Sequence, residues 1–419
     1  MRKNYNYQSL LYFKKLLSIA KKYNFNYSSI LNSLQVSDNF SLKYINYLKH
    51  NNFINFFFYR ILNIFKLIIY KNLSHTNIPK IKNFKSIQLT WGFRRNFDNK
   101  GNFKDNYLNI NSNNKKCLIL ILYLDNILPQ NINSNCILLF HSRNRFKSVI
   151  KNIIKIIFNI FTKKNFSQTY QSFLGENLSY LIKEIFKDLK FNNFIIPYEG
   201  SLSQKIIVKN IRENFKNQKI IGIVHSLPQP LPINFIYNKL SSPDEIIVNG
   251  KNQKNIFVKY LGWNSRKIYI KKSYKYKKVS NFKSLLSNKI FLPYNLNNSK
   301  KIMESFVNIK YLLNRDMEIC IHPLKKEDKK HILLKNNIKN ELSDIKISKS
   351  NKGKNLSIFL DATSGLFLAV EKNIKVIQIC SDQNLYYYNP NIWKGLRSKK
   401  LYDNIFEYYK YNKKSLIEF

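Results

Sequence analysis

Alanine occurs at only three of 419 positions (20, 362 and 369), glycine at ten and cysteine at four. The cysteines, Cys117, Cys136, Cys320 and Cys380, lie in apolar runs without CxxC spacing or clustered histidines. That excludes a disulfide framework or a zinc module as the organising principle. Motifs are missing too. No DxD occurs, which argues against a metal-dependent nucleotide-sugar enzyme of that type; no GxxxxGK[ST] occurs, against a P-loop NTPase; no GxGxxG follows a strand, against a typical dinucleotide oxidoreductase. Met1 to Lys22 lacks the apolar core and small-residue cleavage site of a signal peptide, so none is expected. The most membrane-like stretch, Phe53 to Tyr70, is interrupted by Asn55, Arg60, Asn63 and Lys66, and reads as a buried or interfacial amphipathic helix rather than a span.

Acidic residues are scarce against basic ones: 71 Lys+Arg and 24 Asp+Glu leave a formal charge of +47. Disorder does not follow, because 44% of the chain is hydrophobic and 15% aromatic, enough to bury a large core. A chain this long is expected to form two domains. The charge has a bland explanation, since the commonest residues (Lys, Asn, Ile, Phe, Tyr) are those of A/T-rich codons. A nucleic-acid binder would also be basic, but the lysines are spread along the chain and no zinc finger, RNP signature or dense basic arm occurs. A basic surface also suits an anionic membrane face.

Residues 8 to 72 read as helices, with helical spacing in Gln8 to Lys22 and Phe53 to Tyr70. From residue 86 short apolar runs alternate with amphipathic ones. Ser86 to Thr90, Cys117 to Leu124, Cys136 to Phe140, Phe194 to Tyr198, Lys219 to Val224 and Glu245 to Val248 predict strands. Phe146 to Phe161, Tyr170 to Leu189 and Leu202 to Phe215 predict helices. The alternation pauses at Lys271 to Asn288, read as a linker. It resumes with strands Lys289 to Leu292, Met317 to Ile321, Leu356 to Leu360 and Lys375 to Ile379, and helices Ser299 to Leu313, Lys326 to Lys335, Ser364 to Lys372 and a final one near Lys400 to Lys413. This predicts an α/β protein: a helical preamble over 1–80, a Rossmann-like unit over 81–271, a linker over 272–288 and a second Rossmann-like unit over 289–419.

In open α/β sheets ligands bind beyond the carboxyl ends of strands. Four strand ends carry chemistry: Glu199-Gly200, His225-Ser226, His322-Pro323, and Thr363-Ser364-Gly365 after Asp361-Ala362. Each has a structural alternative. Glu199 could be a helix-start carboxylate or, partly desolvated in a cleft, a general base. His225 could stabilise the Pro228 to Pro232 turn or act in a site. His322-Pro323 could be a loop-to-helix junction or place an acid near a leaving phosphate. Thr363 could be an N-cap or, with Ser364 and a small-residue turn at Gly365, a phosphate contact. Gly200 and Gly365 stand where backbone must come close, since glycine is so scarce here.

The motifs Tyr198-Glu199-Gly200, His322-Pro323 and Thr363-Ser364, in that order and each after a strand, resemble those of two-Rossmann (GT-B) glycosyltransferases. They are most similar to bacterial sialyltransferase and polysialyltransferase-like enzymes of surface polysaccharide (capsule) biosynthesis. Ser242 to Gly250, Tyr260 to Trp263 and Asp361 to Glu371 also look like segments of that family, so the likeness spans roughly residues 190–390. Tyr198 stands where the family often has a first carboxylate. The resemblance implies two Rossmann-like domains facing a cleft and metal-independent, inverting transfer from a nucleotide sugar, a CMP-linked acidic sugar being favoured, to a glycan or glycolipid acceptor. Glu199 would be the base and His322 would serve the leaving phosphate. Gly200, His225, Ser226, Pro323, Thr363, Ser364 and Gly365 would line the substrates. No metal and no cofactor beyond the nucleotide-sugar co-substrate are implied. The expected place is the cytoplasm, peripheral at the inner face of the plasma membrane, with an anionic membrane surface as partner and no specific nucleic acid. Two alternatives stay open: a basic nucleic-acid-associated protein and a non-catalytic Rossmann-fold scaffold of polysaccharide assembly.

Overall fold

The computed structural model describes Ile68 and residues 72–411, apart from 77, 80–82, 106–107, 109, 142–148, 151, 155–156, 158–169, 226–229, 231, 272–284, 295, 297, 323–324, 346–354, 362, 364 and 382. The strands of the first half are β1 (Leu73–His75), β2 (Ser86–Gly92), β3 (Lys104–Asp105), β4 (Ile110–Asn111), β5 (Cys117–Tyr123), β6 (Cys136–His141), β7 (Asn193–Pro197), β8 (Lys219–Ile223), β9 (Glu245–Val248) and β10 (Ile268–Ile270). All but β3 and β4 join one sheet in the order β1-β6-β5-β2-β7-β8-β9-β10. Only β1 runs antiparallel. The chain builds from β2 outward through β5 and β6, then crosses back to add β7 to β10 on the other side. The order therefore reverses between β2 and β7, which is where such sheets open a crevice.

Strand alternation sorts this sheet's side chains between two cores. Leu118 and Leu120 of β5 join Ile87, Leu89, Phe194 and Ile196 under helices α1 (Tyr170–Phe186) and α2 (Leu202–Asn214). Cys117, Ile119, Ile121 and Tyr123 face the opposite side, packing with Phe103 and Ile110, so the β3–β4 hairpin covers that face where a helix would usually lie. A third helix, α3 (Lys251–Leu261), packs Ile256 and Phe257 with Ile246 and Val248. Each fully buried Leu, Ile or Phe contributes about 1.5–3 kcal/mol, so these faces fix where the strand ends stand.

The second half comprises β11 (Lys289–Phe291), α4 (Ser299–Val307), β12 (Glu318–Cys320), α5 (Lys329–Ser343), β13 (Leu356–Leu360), α6 (Gly365–Glu371), β14 (Lys375–Ile379), α7 (Gln383–Tyr386), β15 (Leu396–Tyr402) and β16 (Ile405–Lys410). Its sheet has the order β12-β11-β13-β14-β16-β15, parallel through β14. Here the order reverses between β11 and β13. One buried cluster runs from Tyr198, Phe257 and Trp263 to Phe367, Tyr388 and Trp393. Trp393 Nε1 donates to the Pro230 carbonyl (3.2 Å) and the Tyr260 hydroxyl to that of Asn391 (3.2 Å).

The α/β class and the run of strands agree with the sequence reading; several elements do not. The helix expected near Lys400 to Lys413 is the antiparallel β15–β16 hairpin. Aromatic Phe406 and Tyr408 favour strand, and Asn404 at φ 66° makes the turn that a helix cannot contain. The helix expected over Ser299 to Leu313 stops at Val307 and resumes as a 3-10 turn at Lys310–Leu312. The one expected over Lys326 to Lys335 starts at Lys329, because Asp328 caps it, and continues to Ser343. Residues 73–75, within the expected helical preamble, form β1 and pair with β6. The remainder of that preamble, apart from scattered positions, and most of the 272–288 linker lie outside the described residues. Helix α3, unread in the sequence, starts after Gly250. Among the described residues no helix is long and apolar enough to cross a membrane.

Candidate functional site

At the end of β7 consecutive side chains part company, as strand alternation requires. Tyr198 turns inward and is fully buried against Phe235 (5.8 Å between ring centroids) and Trp263 (6.4 Å), and burial pushes its phenol pKa up. A carboxylate there would be stranded in the core, which accounts for the tyrosine. Glu199 turns outward with 51% of its side chain exposed. Its Oε1 lies 3.2 Å from Nε2 of His225, the second residue beyond neighbouring strand β8. The His225 ring is nearly buried and meets Trp91 of β2 edge-on at 5.1 Å. Trp91, His225 and Glu199 thus come from the ends of β2, β8 and β7, at the reversal of strand order. With its proton on Nε2 the imidazole donates to the carboxylate, which keeps acceptor capacity toward solvent. That is the arrangement of an oriented general base.

The turn beneath Glu199 is held by a residue the sequence reading overlooked. Gln204 Oε1 accepts from the amides of Glu199 (2.8 Å) and Ser201 (3.2 Å), and its Nε2 donates to the Pro197 carbonyl (2.8 Å). Ser201 caps α2 in return. The signal was present as a Ser-x-x-Gln capping box. Gly200 between them has φ +68°, and a Cβ there would lie 2.2 Å from the Asn234 carbonyl oxygen. Gly200→Ala is expected to lose at least ~2–3 kcal/mol, through a backbone collision added to a left-handed conformation, and a denaturant melt would measure it. Wild-type stability would mean that the 230–237 loop yields.

In the second sheet His322 follows β12 and is exposed. Its ring meets Tyr294 edge-on at 5.0 Å, and Lys325 Nζ lies 5.0 Å from the centre of the same Tyr294 ring. The Lys325 amide donates to the His322 carbonyl (2.8 Å). An open groove of about 420 Å³ runs past Tyr294, Lys325, Lys329 and Lys330. His331 fixes its floor, with Nδ1 3.0 Å from Asp328 and Nε2 2.9 Å from the Pro293 carbonyl, tying the loop after β11 to α5. This contact with His331 holds the Asp328 carboxyl below its usual range. The groove is therefore cationic with an aromatic wall, suited to a planar, anionic ligand.

Asp361, after β13, is buried at φ 53°. Its carboxylate accepts from the Ser381 amide (2.6 Å) and hydroxyl (3.0 Å), and its carbonyl accepts from Gln378 Nε2 (2.7 Å). Gln378 in turn accepts from the Tyr408 hydroxyl (2.8 Å), whose pKa burial raises well above the ordinary value. This network sets the turn that carries Thr363. The Thr363 carbonyl accepts from the Leu366 amide, but its hydroxyl oxygen is buried without a hydrogen-bond partner, so the N-cap alternative does not hold. At Gly365 a Cβ would come within 3.1 Å of the Phe359 ring.

The structure brings Glu199 and His225 together, with Gly200 in the turn beside them. His322, Thr363 and Gly365 belong to the other sheet, the first beyond β12 and the others beyond β13, with β11 between. Ser226, Pro323 and Ser364 lie outside the described residues. No three His, Cys, Asp or Glu side chains converge among the described residues. Trp91 and Tyr294 went unread because each acts through a neighbour from another element. No family model and no curated protein matches the chain.

Proposed function

We propose that the chain is a metal-independent, inverting glycosyltransferase with two Rossmann-like units, residues 81–271 and 289–419, facing a cleft in the GT-B manner. It moves a sugar from a nucleotide-sugar donor, a CMP-linked acidic sugar being favoured, to a surface-glycan or glycolipid acceptor at the cytoplasmic face of the membrane. The observation that carries the reading is the 3.2 Å contact of half-exposed Glu199 with His225 at the reversal point of the first sheet. On this reading the acceptor oxygen attacks the anomeric carbon while Glu199 takes its proton. The bond from that carbon to the nucleotide phosphate breaks with its electron pair leaving on the phosphate, and one displacement inverts the centre. His322 and Lys325 meet the charge that develops, and Thr363, whose buried hydroxyl has no internal partner and would turn outward on binding, holds the phosphate together with Ser364. Tyr294 offers a face for the base.

A thermal-shift series with CMP, UDP, GDP and dTDP, set against oligonucleotides at moderate salt, tests this. One nucleotide at ~100 times its Kd is expected to stabilise by about 2.7 kcal/mol. His322→Ala and Ser364→Ala should each lose that response. Strong oligonucleotide binding with no nucleotide response would instead favour a nucleic-acid-associated protein and end the transferase reading.

A further inference from the structure

Ahead of α1, residues 149–150, 152–154 and 157 are helical, and their polarity is reversed relative to a helix packed on a core. Ile150, Ile153, Ile154 and Ile157 are 43%, 38%, 62% and 47% exposed, whereas Asn152 is 1% exposed and donates from Nδ2 to the Ile68 carbonyl (3.4 Å). At about 100° per residue the four isoleucines form a stripe roughly 100° wide, and Asn152 lies roughly opposite. The polar residue faces the body of the protein and the aliphatic stripe faces away. A patch of this kind marks an interaction surface.

The surrounding sequence says what kind of partner fits. From residue 126 to residue 175 there is no Asp or Glu, while Arg143, Arg145, Lys147, Lys151, Lys155, Lys163 and Lys164 fall in the same span. An aliphatic stripe within a segment that carries cations and no acidic residue complements an anionic bilayer, whose acyl boundary takes the isoleucines. We propose that the helical residues 149–150, 152–154 and 157 dock on a membrane, with their isoleucine stripe lying in the interface of an anionic bilayer. This docking does not depend on the transferase reading.

Flotation of the full chain with vesicles of phosphatidylcholine and phosphatidylglycerol, or of phosphatidylcholine alone, at low and at 0.5 M NaCl tests it, because screening removes a purely electrostatic attachment and spares an inserted apolar one. The wild type should float with anionic vesicles and retain measurable binding at 0.5 M salt. Ile154→Glu/Ile157→Glu should bind at least ~tenfold more weakly with an unchanged Tm. Ile154→Trp, which stays apolar, should bind like the wild type and shift its emission to the blue on anionic vesicles. Several results would overturn the proposal: a glutamate variant that floats like the wild type, wild-type binding abolished by salt, or no emission shift. A fall in Tm of the glutamate variant without loss of flotation would also overturn it, since the stripe would then be covered by this chain's own N-terminal residues.

Discussion

On the proposed transferase reading, Glu199→Gln is expected to lower sugar transfer by ~10²–10⁴-fold, the range that loss of a positioned general base produces. The amide is nearly isosteric and can still accept from His225 Nε2, so the turn should persist and only the proton acceptor be lost. Half the Glu199 side chain faces solvent, where a charged contact is worth little, so stability should change by less than about 1 kcal/mol. Loss of turnover with an unchanged melt therefore reports chemistry. His225 supplies the control. If its imidazole works through Glu199, His225→Asn should slow transfer, and Glu199→Gln/His225→Asn should be no slower than Glu199→Gln alone. The measurement is single-turnover transfer from the nucleotide sugar whose nucleotide stabilises the protein. Undiminished turnover in Glu199→Gln would remove Glu199 as the base, and additive losses would give His225 a separate task.

What the sequence made legible was the end of each strand, and what it concealed was which ends are neighbours. Cys117 to Tyr123 is apolar at nearly every position because both faces of that strand are covered, one by helices and the other by the β3–β4 hairpin. Such runs place strands well, and the residue after each is then a candidate. Glu199 and His225 could both be named this way, but their contact depends on β7 and β8 being adjacent, and strand order is a property of the assembled sheet. The same holds for Trp91, which reaches His225 from β2, and for Tyr294, which reaches His322 from the loop after β11. The mistaken terminal helix has a local cause: the lysine-rich run hid an Asp403-Asn404 turn between two strands, the second of which is anchored by the Tyr408 hydroxyl on Gln378 and the Tyr388 amide. The charge of +47, the most conspicuous feature of the composition, singles out no site, whereas scarce residues at strand ends do.

Lys205→Met is expected to stabilise the protein by on the order of 3–5 kcal/mol at pH 7 and below, an unusual sign for a change deep in a helix. Lys205 lies in the second turn of α2, is 3% exposed, and its ammonium nitrogen has no hydrogen-bond partner. Two turns on, Arg212 occupies nearly the same face of the helix and is matched, with Asp244 at 2.7 Å and the Ser242 carbonyl at 2.8 Å. Burial without such a partner lowers the Lys205 pKa from 10.5 to about 7. A folded-state value below the unfolded one means that the unfolded chain binds the proton more tightly. The lysine therefore destabilises in full below pH 7, and this penalty fades as pH rises from about 7 to 10.5, where both states become neutral. Wild-type stability should accordingly climb across that window by the lysine's share, while Lys205→Met, which fills similar space without a charge, should lack the climb. The two proteins should differ most in acid to neutral solution, by roughly 10 °C in Tm, and converge near pH 10.5. Urea melts at pH 6.5, 8.5 and 10 measure the difference directly. A constant gap across these pH values would trace the gain to packing alone. A loss of stability in Lys205→Met at pH 6.5 would show that the ammonium has an anionic partner in solution, and would end the description of Lys205 as an unmatched buried amine.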